Sequence, residues 1–518
     1  MRTDNYSAAM QSLLADVIRF TAHASGLILR RYQQEVARAV TASVLEGRGL
    51  SFVVMFPRQS GKNELQAQIQ VYLLARLMTS GAEIVQVSPT WKPQALNAMR
   101  RLERVLRRNL LVKSLWRKEH GYIYQLETAQ ITFLSGHKEA NIVGATASAL
   151  LSIDEAQDIL IEKYDKEIAP MAASTNATVV FWGTAWTGDT LLARERRAAE
   201  KAELADGFRR VFVLDADEVA AEVPAYGRFV ARQVRKLGRN HPLVRTQFFS
   251  EEIDGQGGLF PEERRRLMQG THPPLRAPRK GFPYALLLDV AGEDEAAGDD
   301  PAPASLANPG RDSTALTVVE VDLKTLADPL IQAPSYRVVS REEWVGVRHS
   351  TLYSRLVGMA EHWRARYVVV DATGVGAGLA SFLEKALPGR IIPFVFTAAS
   401  KSALGWDFLA VVETGRYREY DPLAEKGEAF GVLADLQVRF WQQVRACRHQ
   451  VTEGAGKRLR WSVPEGARDT RHGALIHDDL LLSAALCSVL DKLEWQTGGA
   501  ATLIRRGDPL LEIDKGGF

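Results

Sequence analysis

Short apolar runs, each stopped by polar or glycine-containing turns, recur through the first half of the chain. They are Phe52–Phe56, AEIVQVSPT (82–90), Ala149–Ile153 and TVVFWG (178–183). Each is the length of a buried strand and too short for a helix. Helix-compatible segments lie among them, such as NELQAQIQVYLLARLM (63–78) and the charge-rich RERRAAEKAELADGFRR (194–210). Buried strands alternating with helices predict a doubly wound, mostly parallel sheet. The second half begins differently. YALLLDVAG (284–292), DSTALTVVEVD (312–322) and PSYRVVSREEW (334–344) follow one another without a helix, which predicts an antiparallel meander. A helix (350–365), the strand and turn YVVVDATGVG and a late apolar helix after HDD complete a strand–strand–strand–helix–strand–helix frame.

The pattern also suggests boundaries. Residues 1–30 read as one amphipathic helical arm, and 194–250 as a helical subdomain covering the first site. A Gly-, Pro- and Arg-rich stretch then marks a break. The expected division is a first domain over 1–255, a linker over 256–283, a second domain over 284–497 and a flexible tail over 498–518. The Ala/Pro/Asp-rich insertion at 293–310 reads as a mobile loop.

Composition changes this picture little. With 518 residues the chain is too long for one core, and 46% hydrophobic with 25% charged residues is ordinary for a globular protein. The balance of 65 Lys+Arg against 62 Asp+Glu gives a formal charge of +3, so only local clusters could argue for nucleic acid. Cys447 and Cys487 lack metal-ligand spacing and fit a reduced, cytosolic protein. No signal-peptide pattern is seen, and no apolar run approaches the ~20 residues that cross a bilayer, so no membrane association is expected.

Candidate chemistry sits where strands stop. The strand at 52–56 ends in Pro57-Arg58-Gln59-Ser60-Gly61-Lys62-Asn63 before a helix. Such a loop aims backbone N–H groups and a helix N-terminus at an anion, with Lys62 as a point charge for phosphates. It departs from GxxxxGK[ST], since Phe56 replaces the first Gly and Asn63 the Mg²⁺-binding hydroxyl. Asp154 and Glu155 follow the strand ALLSI; they could hold Mg²⁺ through water and activate an attacking water. That strand is expected beside the phosphate-loop strand. Thr184, at the tip of TVVFWGTAW, could sense a terminal phosphate, and the Gln33 amide could pair with an adenine edge. Arg100, Arg101, Arg104, Arg107 and Arg108 on one helix read equally as a solvated face or a phosphate-backbone surface.

Asp289, Asp371 and the Asp478/Asp479 pair stand at two strand tips and a helix start. Gathered on one face they would repel unless cations neutralised them, and two Mg²⁺ or Mn²⁺ about 4 Å apart would suit phosphodiester cleavage. Lys457, Arg458 and Arg460 flank a turn read as a basic hairpin that grips a phosphate backbone.

Taken in order, RRYQQEV, PRQSGKNE, LLSIDEAQ, FWGTAW, LLLDVAG, VVVDATGVG and HDD resemble the large terminase subunit of tailed bacteriophages over almost the whole chain. The resemblance implies an α/β protein with an N-terminal P-loop (ASCE, RecA-like) ATPase domain and a C-terminal RNase H-like nuclease domain. It implies ATP-driven packaging of double-stranded DNA into a procapsid and metal-dependent cutting of concatemers. By motif position Gln33 would meet adenine, Arg58 and Lys62 the phosphates, with Gln59, Ser60, Gly61 and Asn63 completing the loop. Asp154 would serve Mg²⁺, Glu155 would be the catalytic carboxylate, and Thr184 would lie in the coupling motif. Asp289, Asp371, Asp478 and Asp479 would hold the nuclease metals. Implied partners are a small terminase subunit and a portal protein, with a homo-oligomeric ring on the procapsid and a monomer as the unassembled form. The implied location is the host cytoplasm and, transiently, the viral procapsid. A helicase-like remodelling ATPase carrying a nuclease module is the alternative; it requires a second RecA-like domain, which the sequence does not display.

Overall fold

The computed structural model describes residues 11–142, 144–292, 312–424, 431–452, 458–469 and 473–495. The insertion at 293–310, Lys457 and the expected tail lie outside them.

Two sheets organise the chain. The first comprises β1 (Ser51–Met55), β2 (Glu83–Ser88), β3 (Trp116–Glu119), β4 (Ile123–Leu126), β5 (Ala129–Ser135), β6 (Leu150–Ile153), β7 (Thr178–Gly183) and β8 (Val211–Val213). Their order is β3-β4-β5-β2-β6-β7-β1-β8, parallel from β5 to β8 and antiparallel across β3, β4 and β5. Alternation divides β1 between two cores. Phe52 and Val54 pack with α1 (Arg31–Leu45), α2 (Lys62–Leu77) and α3 (Leu96–Arg108), while Val53 and Met55 face the core of Ile153, Phe181 and Leu192. Coverage of both faces explains why these strands read as unbroken apolar runs.

One expectation changes here. β6, which delivers Asp154, is not beside β1, because β7 stands between them. Strand order depends on where each crossover returns, and local pattern does not encode that. The β3–β5 extension was also unforeseen, although Tyr124, Leu126, Ala129, Ile131 and Phe133 alternate inward through it. The helical arm is interrupted. Asp16 caps a new helix at Val17–His23 by accepting from Ile18 N at 2.6 Å.

The second sheet holds β10 (Tyr284–Asp289), β11 (Ser313–Asp322), β12 (Ser335–Val345), β13 (Ala365–Asp371), β14 (Ile391–Phe394) and β15 (Tyr417–Arg418). The order β14-β13-β10-β11-β12-β15 places the expected meander β10–β11–β12 beside parallel β13 and β14, which is RNase H-like topology. Again the strands split two cores, Ala285 and Leu287 on one face, Leu286 and Leu288 on the other.

The stretch expected as a linker is structured. β9 (Gln256–Gly258) pairs with β16 (Arg448–Val451), itself paired to β17 (Leu459–Ser462). Leu259, Phe260 and Met268 are buried in the second module's core. The apolar LF and LM dipeptides inside a Gly/Arg-rich run anchor it there. Helix α4 (Pro224–Leu237) of the first module packs on α6 (Ala398–Glu413) of the second, and His241, which caps α5 (Pro242–Phe248), hydrogen-bonds the Trp406 carbonyl at 3.1 Å. Two further second-module helices bear on the site, α7 (Gly431–Ala446) and α8 (Asp479–Ala485).

Candidate functional sites

The phosphate loop joins β1 to α2. Gly61 adopts φ +94°, and a Cβ there would lie 2.6 Å from Gln33 Nε2, so both the turn and the packing require glycine. Lys62 opens a helix of 16 residues whose first N–H groups lack intrahelical partners. The loop is braced from behind: Arg30 Nη1 and the Tyr32 hydroxyl donate to the Ser60 carbonyl at 3.0 and 2.8 Å, and Gln33 Nε2 donates to the Gly61 carbonyl at 3.2 Å. With carbonyls held on that side, the loop's other face is left for an anion. Tyr32 meets Phe56 edge-on, so the aromatic ring standing in place of the first Gly packs against the brace.

Gln33, expected at the adenine, also braces the loop. Gln33 is buried under the loop, its Oε1 accepting from Arg30 N at 3.0 Å and its Nε2 donating to the Gly61 carbonyl at 3.2 Å. Arg58 and Gln59 are exposed at the loop, while Ser60 is buried, its hydroxyl donating to the Pro57 carbonyl.

A cleft of ≈ 350 Å³ lies in front, lined among others by Arg58, Lys62, Asn63, Arg101, Glu155 and Thr184. Lys62 Nζ is 3.0 Å from Glu155 Oε1. Asp154, at the end of β6, accepts from Gln66 Nε2 at 3.0 Å; burial and then the Glu155 charge push its carboxyl up to about 6, against the pull of Lys62. Glu155 itself has left-handed backbone, φ +46°. Gln157 Nε2 donates to Glu155 Oε2 at 2.7 Å, and its Oε1 accepts from Thr184 N at 3.1 Å. The Thr184 hydroxyl approaches the Phe56 carbonyl at 3.4 Å. Lys62, Glu155, Gln157 and Thr184 therefore form one hydrogen-bonded chain across three strand tips. Gln157 was present in the DEAQ motif, but nothing in the sequence singled it out.

The basic helix α3 divides its charges. Arg101 and Arg104 pair with Glu64 at 3.2 and 2.7 Å beside the cleft, and Arg107 pairs with Glu103 at 2.9 Å. Arg100 and Arg108 are exposed.

In the second module, Asp289 and Asp371 end the adjacent parallel strands β10 and β13. Gly376 lies so near that a Cβ would collide with the Asp371 carbonyl, which accounts for the Gly-rich turn without a dinucleotide loop. Asp478 and Asp479 start α8. Asp289 is pushed well above the usual carboxylate range by burial and then by Asp479, Asp371 and Asp478, with Lys401 opposing. Burial also raises Asp371, and takes Asp479 up to about 6 against hydrogen bonds from Ser313. Asp289 therefore lies within reach of the charges of the other three aspartates. Their side chains are turned to separate partners: Asp479 to the Ser313 N–H and hydroxyl, both 2.7 Å, Asp371 to Thr373 N at 2.8 Å, and Asp478 to Lys401 at 3.5 Å. Among the described residues no group of three or more His, Cys, Asp or Glu is already arranged to hold a metal ion. The donor chemistry nevertheless fits a hard cation, being all carboxylate, with an ammonium drawn in among them.

The basic hairpin exists as β16–β17, with Arg458 and Arg460 exposed. It sits on α6, the Trp461 indole donating to the Lys401 carbonyl at 2.8 Å. Lys401 was missed in the sequence, where a lone Lys in a helix's first turn carries no signal.

Together the two sheets have the architecture of a phosphate-loop α/β module joined to an RNase H-like module. No protein-family model matches the chain, and no curated protein does. Among solved structures it is similar to the large terminase of bacteriophage HK97, with 14% identity, a TM-score of 0.40, and 92% of this chain and 98% of that one covered. It is similar to the large terminase of a thermophilic bacteriophage in complex with ADP, at 12% identity and a TM-score of 0.43, over 88% of this chain and 98% of that one. A third similarity is to the large terminase nuclease of the thermophilic phage G20c with bound magnesium, at 18% identity and a TM-score of 0.30, over 45% and 96%. Likenesses of this size assign no residue and no activity to the chain.

Proposed function

We propose that this chain is the ATPase–nuclease of a viral DNA-packaging motor, driving double-stranded DNA into a procapsid by ATP hydrolysis and cutting concatemers. The observation that carries the reading is a pairing of the phosphate-loop Lys62 with Glu155 in one module, and in the other Asp289 and Asp371 at adjacent strand ends with Asp478 and Asp479 at a helix start. Lys62 and Arg58 neutralise ATP phosphates, Asp154 holds the accompanying Mg²⁺ through water, and Glu155 orients and deprotonates the attacking water. Gln157 and Thr184 tie Glu155 to the tip of β7, which lies between the two catalytic strands.

In the nuclease site Asp289, Asp371 and the Asp478/Asp479 pair hold divalent cations. When bound, these supply an activated water and stabilise the leaving oxygen of a phosphodiester. Arg458, Arg460 and the neighbouring Lys457 grip the DNA backbone. A small terminase subunit, a portal protein and a ring of copies on the procapsid are the partners this reading calls for, in the host cytoplasm. Among the described residues only one module carries a phosphate loop, which disfavours a two-domain helicase.

The test separates the sites. Lys62→Ala abolishes ATP turnover and leaves metal-dependent cutting of plasmid DNA; Asp371→Ala does the reverse. Loss of both activities from either folded variant overturns the two-site reading.

A further inference from the structure

Lys401 lies in the first turn of α6 with its Nζ 3.5 Å from Asp478 Oδ2. Its backbone is fixed on both sides. The Lys401 carbonyl accepts from Trp461, Ser402 Oγ accepts from Leu459 N at 2.9 Å, and a Cβ on Gly405 would come 2.5 Å from Trp461 Nε1. Farther along, α6 is anchored by the Trp406 carbonyl to His241 and by Glu413 to Arg264. The side chain is held more loosely, its Nζ 5.6 Å from the centre of the Trp461 ring as well as beside Asp478. Lys401 and Asp478 are 30% and 22% exposed, and an ammonium on a four-carbon stem swings readily from a pair that water screens. The same turn faces the hairpin that carries exposed Arg458 and Arg460.

We infer that Lys401 is an exchangeable cation of the carboxylate cluster: it rests on Asp478 in the free protein, and moves to a phosphodiester oxygen of bound DNA when a divalent cation takes Asp478. This rests on the nuclease reading above. Lys401 is then a positioning residue with two opposed effects, competing with the metal and assisting the substrate. A purely structural ion pair has neither.

The experiment uses the full chain, with Lys401→Met, Lys401→Arg and, as control, Asp371→Ala. Mn²⁺ binding is measured by calorimetry without DNA, and binding of a short duplex by fluorescence anisotropy in Ca²⁺. Lys401→Met is expected to bind Mn²⁺ about fivefold tighter and the duplex about fivefold more weakly, the scale of a partly exposed charge pair. Lys401→Arg, which keeps the charge, stays near wild type in both. Weakening of both by Lys401→Met, or a change in neither, overturns the inference. Mn²⁺ binding unchanged by Asp371→Ala removes the metal-site reading itself, and this inference with it.

Discussion

Lys62 Nζ lies 3.0 Å from Glu155 Oε1, so the cation of the phosphate loop and the carboxylate after β6 neutralise one another across the cleft. A γ-phosphate entering between them would draw Lys62 to itself and leave Glu155 as an acceptor for water. Glu155→Gln keeps the shape and one acceptor oxygen for its two donors, Lys62 and Gln157, and removes the base. Turnover is expected to fall by about 10²-fold or more, in the range assigned to general-base catalysis. Nucleotide affinity should stay within a few-fold of wild type. Phosphate release and fluorescent-nucleotide binding measure the two; residual turnover within about tenfold of wild type would show that another group is the base.

Gln157 holds Glu155 on one side and the Thr184 N–H on the other. The fit is tight, since a Cβ on Gly183 would collide with Gln157 Oε1. Gln157→Ala should lower kcat by about tenfold, as expected when a positioned base loses its orientation, with little change in KM. Gln157→Glu should be worse, because it sets a second negative charge against Glu155. An increase in KM alone would place Gln157 in nucleotide binding instead.

Much of this was legible in the sequence, for a local reason. Asp154, Asp289 and Asp371 are readable because a carboxylate that abruptly ends an apolar strand is visible in a short window. Lys62 is readable because the strand stops in a Gly-Lys turn before a helix. The bracing contact of Gln33 was not legible, since it joins the amide to a loop 28 residues away. Lys401 was invisible, because its contact with Asp478 spans 77 residues and leaves no local pattern. The placement of β7 between β1 and β6 is likewise set by long-range return of the chain. The burial of Leu259 and Phe260 was hidden by the Gly- and Arg-rich composition around them.

The brace behind the phosphate loop gives its own prediction. Gly61→Ala forces a Cβ onto Gln33 Nε2 and keeps an L residue at φ +94°, so nucleotide binding should be lost even in folded protein. Gln33→Ala removes the hydrogen bond without the clash and should weaken binding only severalfold, for any nucleoside triphosphate alike. Loss confined to ATP, with GTP unaffected, would assign Gln33 to reading adenine instead.

Stability of the second module depends on a buried pair. Arg341 is 1% exposed and meets both oxygens of Glu419 at 2.7 Å, with Gln437 at the same guanidinium. Arg341→Ala strands a buried carboxylate and should cost about 3–5 kcal/mol in urea unfolding. Replacing both partners with apolar residues of similar volume should cost much less. Equal losses in the single and double variants would mean that packing, not charge, dominates.

The contact between the modules carries a pH dependence. His241 is fully buried, and its Nδ1 accepts from Leu243 N at 3.2 Å, so the proton sits on Nε2, which donates to the Trp406 carbonyl. Burial, aided by Arg264 and opposed by the Trp406 hydrogen bond and Asp407, brings its pKa from 6.5 down to about 4. A depressed histidine pKa means that the unfolded chain takes up the proton first. Stability from this site is therefore fully present above pH 6.5, declines as pH falls towards about 4, and is flat below. The full span is about 3 kcal/mol at 1.36 kcal/mol per unit. Asp154 and Asp479, raised to about 6, act in the opposite sense. They are shared by wild type and His241→Gln, so the difference between the two proteins isolates the histidine. Denaturation midpoints of the pair, followed from pH 7.5 to 4.5, should draw together as pH falls. A constant gap would show that His241 stays neutral or is exposed in both states.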